Sequence, residues 1–401
     1  MTAAEDVVVT GLGLQTALGN SASENWTRLM AGESAIALRQ PFLDLAPSPL
    51  AMMGKEPVDL QVMTAALARA AWQDAGLELG ETTGSKEAIN SDGYGTDCGV
   101  VVGSSRSHLQ TLEAMAIAQK ETGEVPGDWL AALAHGPAVT VAQTVGAMGP
   151  LLAPMAACAT GVWAIAQAAE LIRSGQCHRV IAGAVESPIT RLTLAGFRKM
   201  GALAKTGCYP FDVAREGFVL GEGGALMVLE SAALAQARGA QVYARVLGVG
   251  ITNDSHHVSS FDPTYRQGKR ALSLCLSRSG LRQDAIDAVH THGTSTAQND
   301  RMEAALIQSS FMGEGRQQKG PFVMASKGAT GHTLGASGAL TVGLGLMSLR
   351  RQQVMPCVGL GTADFDLNFV RRGQGATVRN LLCFSFGFGG QNAVLALTAR
   401  Q

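Results

Sequence analysis

The feature that most constrains the fold is a repeat, because the second half of the 401-residue chain echoes the first. The stretch CATGVWAIAQAAELIRSG from Cys158 has a counterpart in HTLGASGALTVGLGLMSLRR from His332. Each opens on a reactive residue type, has a glycine three positions on and runs into a helix of small side chains. VYARVLGVGI at 242–251 resembles the opening DVVVTGLG, and DAVHTHGTST at 287–296 stands where CGVVVGSS stands at 98–105. NLLCFSFGFGG followed by NAVLALTA echoes HRVIAGAVES at 178–187 and GALMVLES at 224–231. Internal similarity on this scale means two copies of one unit. Packed about a pseudo-twofold, they bring the starts of the two small-residue helices together at the centre. The expected halves are 1–238 and 239–401, joined across 232–241. Short apolar β-rich runs separated by helical patterns make each half α/β, with a largely parallel or mixed sheet covered on both faces.

Composition narrows the function. At 46% hydrophobic residues the chain can bury a large core, and 49 glycines with only 5% aromatics point to tight turns and a core of Ala, Val and Leu. The 31 basic and 32 acidic residues are mixed along the chain, so nothing draws it broadly to nucleic acid or anionic lipid. Seven cysteines, at 98, 158, 177, 208, 275, 357 and 383, form no C-x-x-C pair, which argues against a disulfide framework or zinc ribbon and for a reducing compartment. MTAAEDVVVTGLGL lacks the basic and apolar blocks of a signal peptide, so a cytoplasmic protein is expected. Residues 129–169 carry no Asp, Glu, Lys or Arg, yet His135, Gly136, Pro137, Gly149, Pro150 and Pro154 interrupt them. A bilayer span needs about 20 uninterrupted apolar residues, so this stretch reads as two buried elements joined by turns.

A free cysteine is by default a small buried hydrophobe. Cys158 departs from that default by its position, where a strand-like segment turns into a helix. There the unpaired N–H groups and the helix dipole favour a thiolate and are expected to lower its pKa. Ala156, Ala157, Ala159 and Gly161 leave room for a substrate. His292 in THGTST and His332 in SKGATGHTLGASG lie in Gly- and Thr-rich loops suited to close approach of a ligand. His290 and His292 share a strand face, but no third ligand with sensible spacing appears, so no metal is expected. His108, His135, His178 and His256 read as ordinary polar residues.

Five motifs then coincide: ACATG around Cys158, REGFVLGEGG at 215–224, HGTST with His292, SKGATGHTLGASG with Lys327 and His332, and SFGFGGQN at 385–392. Together, in this order and across nearly the whole chain, they resemble the elongating β-ketoacyl-acyl carrier protein synthases of the thiolase superfamily. The resemblance implies a duplicated, five-layered αβαβα fold and no organic cofactor or metal. It implies acyl carrier protein as partner, and a homodimer or a heterodimer with a related cysteine-less subunit. Cys158 would accept an acyl group, and His292 and His332 would bind the malonyl thioester carbonyl during decarboxylation. The N–H groups of Cys158 and Phe388 would form the oxyanion hole. Lys327 would order the site with Glu303 and Asp300, Thr294 and Thr296 would bind the pantetheine arm, and Phe386, Phe388 and Phe197 would line or gate the acyl pocket.

The chain also departs from that pattern. Gln391 stands in GFGGQN where the family has threonine, and GKEPVDLQ, with Lys55, Glu56 and Pro57, replaces a more basic carrier-docking helix, for which Arg198 and Lys199 are expected to substitute in part. The segment 124–141 lacks the aromatic-rich pocket wall of housekeeping enzymes. A ketosynthase of a specialised polyketide, polyene or modified fatty acid pathway is therefore an alternative to primary fatty acid elongation. Two further rivals are a thiolase, with Cys383 near where a second catalytic cysteine would be sought, and a non-catalytic subunit that shapes a partner's acyl tunnel.

Overall fold

The computed structural model describes residues 5–79, 97–125, 129–312 and 320–400. Five strands of the first half, β1 (Val7–Thr16), β2 (Cys98–Gly103), β3 (Leu151–Leu152), β4 (Arg179–Glu186) and β5 (Gly223–Ser231), are matched by five of the second. These are β6 (Ala244–Asn253), β7 (Ala288–His290), β8 (Phe322–Met324), β9 (Asn380–Gly387) and β10 (Gln391–Ala399). From the centre outward, one side runs β1-β5-β4-β2-β3 and the other β6-β10-β9-β7-β8, so every strand has its counterpart five numbers later. The pairing directions repeat too. β4/β5 and β9/β10 are antiparallel, whereas β2/β4 and β7/β9 are parallel. β1 and β6 join the halves through a short antiparallel ladder, as a twofold requires.

Helices repeat in the same way: α1 (Leu60–Asp74), α2 (Gly136–Val145) and α3 (Thr160–Arg173) in the first half, α4 (Arg266–Ser279), α5 (Ala297–Phe311) and α6 (Ser337–Arg351) in the second. Alternate strand residues separate three cores. On β4, Val180, Ala182 and Ala184 face the central core and Ile181 and Val185 an outer one shared with α1 and α2. On β9, Leu381 and Cys383 face the centre, and Leu382 and Phe384 face the core under α4 and α5. With α3 and α6 packed between the two half-sheets, the layers read αβαβα, as the resemblance implied.

The central layer explains the composition. From Ser337 to Leu349, α6 is buried on every side, and α3 is nearly so, which suits helices almost without charge. Their starts meet, as the repeat predicted. A Cβ built on Gly161 would lie 2.1 Å from Ala339 N, and one on Gly338 would lie 2.9 Å from Val162 N. This reciprocal contact also corrects the repeat's register. It equates Gly161 with Gly338, so Cys158 corresponds to Gly335, and His332 lies three residues further ahead of its helix. The longer lead lets His332 reach across to the sulfur. The charge-free stretch 129–169 holds α2, the short edge strand β3 and most of α3, with Gly146 in a left-handed turn after α2. No helix among the described residues is long and apolar enough to cross a membrane.

Candidate active site

The turn that presents Cys158 is built from one strained residue and one threonine. Ala157 has φ +47°, a left-handed conformation that costs an alanine about 1–2 kcal/mol. Thr160, the first residue of α3, holds the turn: Ala156 N donates to its Oγ1 (2.9 Å), which donates to Ala157 O (2.6 Å). Ser385 Oγ on β9 donates to the Cys158 carbonyl (2.9 Å). Gly387, at the end of β9, allows the next turn to lie against this elbow, since a Cβ there would be 3.0 Å from both Ala156 O and Cys158 N. The Phe388 N–H is thereby aimed at the Cys158 sulfur.

His292 emerges just past β7. Its N–H and that of Gly293 donate to the two oxygens of Glu303 on α5, both at 2.6 Å. Asn299 Nδ2 bridges Glu303 (2.7 Å) and Asp300 (3.1 Å), and the second Asp300 oxygen accepts from Phe211 N (2.8 Å). Lys327 Nζ donates to the His292 carbonyl and lies 3.4 Å from its Nδ1. A donor on Nδ1 puts the proton of the neutral imidazole on Nε2. His332 is stitched to the REGFVLGEGG segment: its N–H donates to Val219 O (2.7 Å), and its carbonyl accepts from Gly221 N (3.1 Å). The two imidazoles stand edge-to-face with centroids 5.2 Å apart, and Phe218 packs edge-on against His332 at 5.3 Å.

One donor atom each from Cys158, His292 and His332 lie within 4.8 Å of one another, all three side chains buried. Such a cluster has room for one metal ion or for one thioester. The Lys327 ammonium beside His292 opposes a second cation and favours the neutral thioester. His290 does not join the cluster: Nδ1 contacts Thr341 O (2.9 Å) and Nε2 contacts Ser326 Oγ (3.1 Å). The groups that meet His292 come instead from the turn into α3 and from the lead into α6, distances in sequence that spacing cannot reveal.

Burial governs the electrostatics. It pushes the Cys158 thiol up to about 11, with Lys327 and the Phe388 N–H pulling the other way. The expected fall in its pKa is therefore not found: desolvation at a site 6% exposed outweighs the helix start. The resting group is a thiol, whose proton must leave as it attacks. Burial, and then Lys327, hold both His292 and His332 well below 6.5, so both are neutral hydrogen-bond donors. Lys327 is lowered by burial and partly restored by Glu303. Glu303 and Asp300 are raised by burial, Asp300 to about 6. A carboxyl raised on folding holds its proton more tightly in the native state, so its contribution to stability is full below its unfolded value of 3.8 and lost as pH rises through about 6. Denaturant titrations of wild type and Asp300→Asn are expected to show the wild type losing stability relative to the variant across that window. A pH-independent difference would contradict it.

A cavity of about 350 Å³ opens onto this cluster, lined among others by Cys158, His292, His332, Thr294, Thr296 and Phe388. Thr294 and Thr296, joined by a 2.9 Å hydrogen bond, sit on its wall. Phe386 is 1% exposed, with its ring 6.3 Å from that of His292, and it too lines the cavity. Phe197 lies instead in an apolar cluster with Cys158, Phe218, Leu334 and Phe388. Lys327, Glu303 and Asp300 are all buried rather than solvated. Sequence reasoning passed over Ser385, Asn299 and Phe218, although all three lie in or beside motifs it quoted. It also passed over Glu186, a single acid at the end of an apolar strand run. Cys383 is fully buried against α6, its Sγ 3.7 Å from Thr341 O, away from the cavity lining. Residues 126–128 of the altered pocket-wall segment lie outside the described residues.

Residues 4–235 match the family Beta-ketoacyl synthase, N-terminal domain, and 243–361 match Beta-ketoacyl synthase, C-terminal domain. A 3-oxoacyl-[acyl-carrier-protein] synthase 2 of Staphylococcus aureus is 31% identical over 97% of both chains. Among solved structures, the ishigamide ketosynthase/chain length factor superposes with TM-score 0.86 at 27% identity over the whole of both chains. A beta-ketoacyl synthase from Burkholderia phymatum superposes with TM-score 0.85 at 27% identity, over 99% of this chain and all of that one.

Proposed function

Because the chain belongs to the β-ketoacyl synthase family, with the thiolase-like fold of that family, we propose that it is a 3-oxoacyl-[acyl-carrier-protein] synthase in which Cys158, His292 and His332 carry out a decarboxylative condensation. The observation that carries the assignment is the meeting of one thiol and two neutral imidazole donors within 4.8 Å, in a cavity walled by Thr294 and Thr296. Cys158 attacks the thioester of an acyl-carrier protein, its proton passes to the departing carrier thiolate, and the acyl group remains on sulfur. Malonyl-carrier protein then binds with its pantetheine along Thr294 and Thr296. Nε2 of His292 and the His332 ring donate to its thioester carbonyl, so that the electron pair left by carbon dioxide becomes an enolate rather than a bare carbanion. The enolate carbon attacks the acyl carbonyl, whose oxygen turns to the N–H groups of Cys158 and Phe388. Collapse frees the 3-oxoacyl product and returns a Cys158 thiolate, which takes a proton from water. Lys327, its positive charge favoured by the nearby Glu303 and Asp300, fixes the His292 tautomer.

The partners follow from the surface around this centre. Arg198 and Lys199 end the helix 191–199, immediately before Met200 and Gly201 on the cavity wall. They give an acidic carrier protein a basic landing beside the entrance, where Lys55 is offset by Glu56. The edge strand β3 leaves Leu151 and Leu152 each 39% exposed, flanked by Met148 at 59% and Met155 at 68%. An uncovered apolar edge three residues from the nucleophile suits pairing with a second copy or a related subunit. The same reading takes the halves as 1–238 and 239–401, places the protein, with its seven free cysteines, in the cytoplasm, and asks no organic cofactor of the condensation. The thiolase reading lacks a second thiol at the site, and a non-catalytic subunit has no need of this one.

All seven cysteines are buried, and Cys158 is the cysteine on the wall of the cavity that His292 and His332 line. Iodoacetamide is expected to label Cys158 ahead of the other six by peptide mass mapping, and a non-hydrolysable malonyl-pantetheine analogue is expected to protect it. Equal labelling of all seven, or no protection, would count against the assignment.

A further inference from the structure

Resting on the reading of Cys158 as the acyl acceptor, we propose that Arg106 selects the far end of the acyl group, favouring chains whose end carries an oxygen acceptor, a keto oxygen or a carboxylate, over plain alkyl chains.

The repeat first brings Arg106 into view. β2 corresponds to β7, and the loop after β7 delivers His292, Thr294 and Thr296 to the centre. By the same symmetry the loop after β2, Ser104–His108, approaches the centre from the first half. Its backbone is held in place by Glu186, a fully buried carboxylate at the end of β4. Glu186 accepts from Ser104 Oγ (2.6 Å), Ser105 N (2.7 Å), Ser105 Oγ (2.6 Å) and Arg106 N (3.0 Å). It also accepts from Gly335 N (3.0 Å), three residues beyond His332. One buried acid therefore ties Arg106 to the loop that carries a catalytic imidazole. The side chain of Arg106 is exposed, but its root is not free to wander.

From that root the guanidinium lies 5.2 Å from the centroid of Phe197. Phe197 packs at 5.1 Å from Phe218 and 6.2 Å from Phe388, in the apolar cluster that contains Cys158. An acyl group on the sulfur that extends among these side chains runs toward Arg106. Consistent with that proximity, the positive charge of Arg106 lowers the Cys158 pKa against the larger effect of burial. Among the described residues no carboxylate pairs with the Arg106 guanidinium, whose side-chain contact there is the ring face of Phe197. A guanidinium has five N–H donors. A methyl end pressed against it displaces water from those donors and supplies no acceptor, whereas a carbonyl or carboxylate replaces that water with a charge-assisted hydrogen bond.

Intact-protein mass spectrometry can time acylation of Cys158 by pantetheine thioesters of hexanoyl, adipoyl and a keto-ended chain of the same length. Wild type is expected to take an oxygenated chain faster than hexanoyl by about tenfold or more, the size of one hydrogen bond to a charged group. Arg106→Leu is expected to invert that ratio and Arg106→Lys to keep part of it, and thermal unfolding of both is expected to match wild type because the side chain is exposed. Should wild type favour hexanoyl over both oxygenated chains, or Arg106→Leu leave the ratio unchanged, the role of Arg106 is overturned while Cys158 stands. If no thioester acylates Cys158, the nucleophile assignment fails, and this inference fails with it.

Discussion

Cys158→Ala is expected to lose chain extension by on the order of 10⁴-fold or more, yet to go on releasing carbon dioxide from malonyl-carrier protein. The two halves of the reaction use different groups. Acyl capture needs the sulfur, and nothing beside it can substitute, since Ser385 spends its hydroxyl on the Cys158 carbonyl at 2.9 Å. Decarboxylation needs donors on a thioester oxygen, and those are His292 and His332. Their placement depends on Glu303, Lys327, Val219 and Gly221 rather than on the thiol. His292→Ala is expected to show the reverse pattern, with the acyl-enzyme still forming and decarboxylation falling by on the order of 100-fold or more, as when one preorganised donor is lost. Labelled malonyl-carrier protein reads the gas, and intact mass reads the acyl-enzyme. Loss of both activities in both variants would mean that the three residues act as one unit. Normal condensation by Cys158→Ala would remove the nucleophile altogether.

What could be read in advance followed from whether the information is local. Strand runs such as RVIAGAVE and NLLCFSFG, and helices such as α6, announce themselves because their periodicity and lack of charge are properties of neighbouring residues. Cys158, His292 and His332 were legible for the same reason, each lying in a short run of small residues. The duplication made their meeting expected. It misplaced the register by three residues, because similarity was anchored on the reactive residues, while packing is set by Gly161 against Ala339 and Gly338 against Val162. The sulfur's pKa was misjudged because a helix start is visible in sequence and the depth of burial around it is not. Glu186 and Asn299 were invisible for a related reason: a single acid or amide gains meaning only from partners elsewhere, in the case of Glu186 and Gly335 149 residues apart.

Gly161 then offers a test of the architecture itself. A methyl group there would sit 2.1 Å from Ala339 N and 2.8 Å from Ala339 Cβ, against backbone that belongs to the other half of the repeat. No rotamer relieves that overlap, so α3 and α6 must part. Overpacking of a core costs about 1–3 kcal/mol when side chains can yield, and Gly161→Ala is expected to reach the top of that range or pass it. Gly338→Ala meets Val162 N at 2.9 Å and the movable Ser385 hydroxyl at 3.1 Å, so a smaller loss is expected. Gly196, inside the helix 191–199 with nothing within 4 Å of a built Cβ, supplies the control, because alanine there is expected to stabilise by about 0.5–1 kcal/mol. Denaturant midpoints should rank Gly161→Ala lowest, then Gly338→Ala, wild type and Gly196→Ala. The loss at Gly161 is expected to reach catalysis as well, since the turn into α3 carries the sulfur and the lead into α6 carries His332, so parting the helices separates the groups that must share one thioester. A Gly161→Ala protein as stable and active as wild type would mean that the halves do not meet at these two glycines.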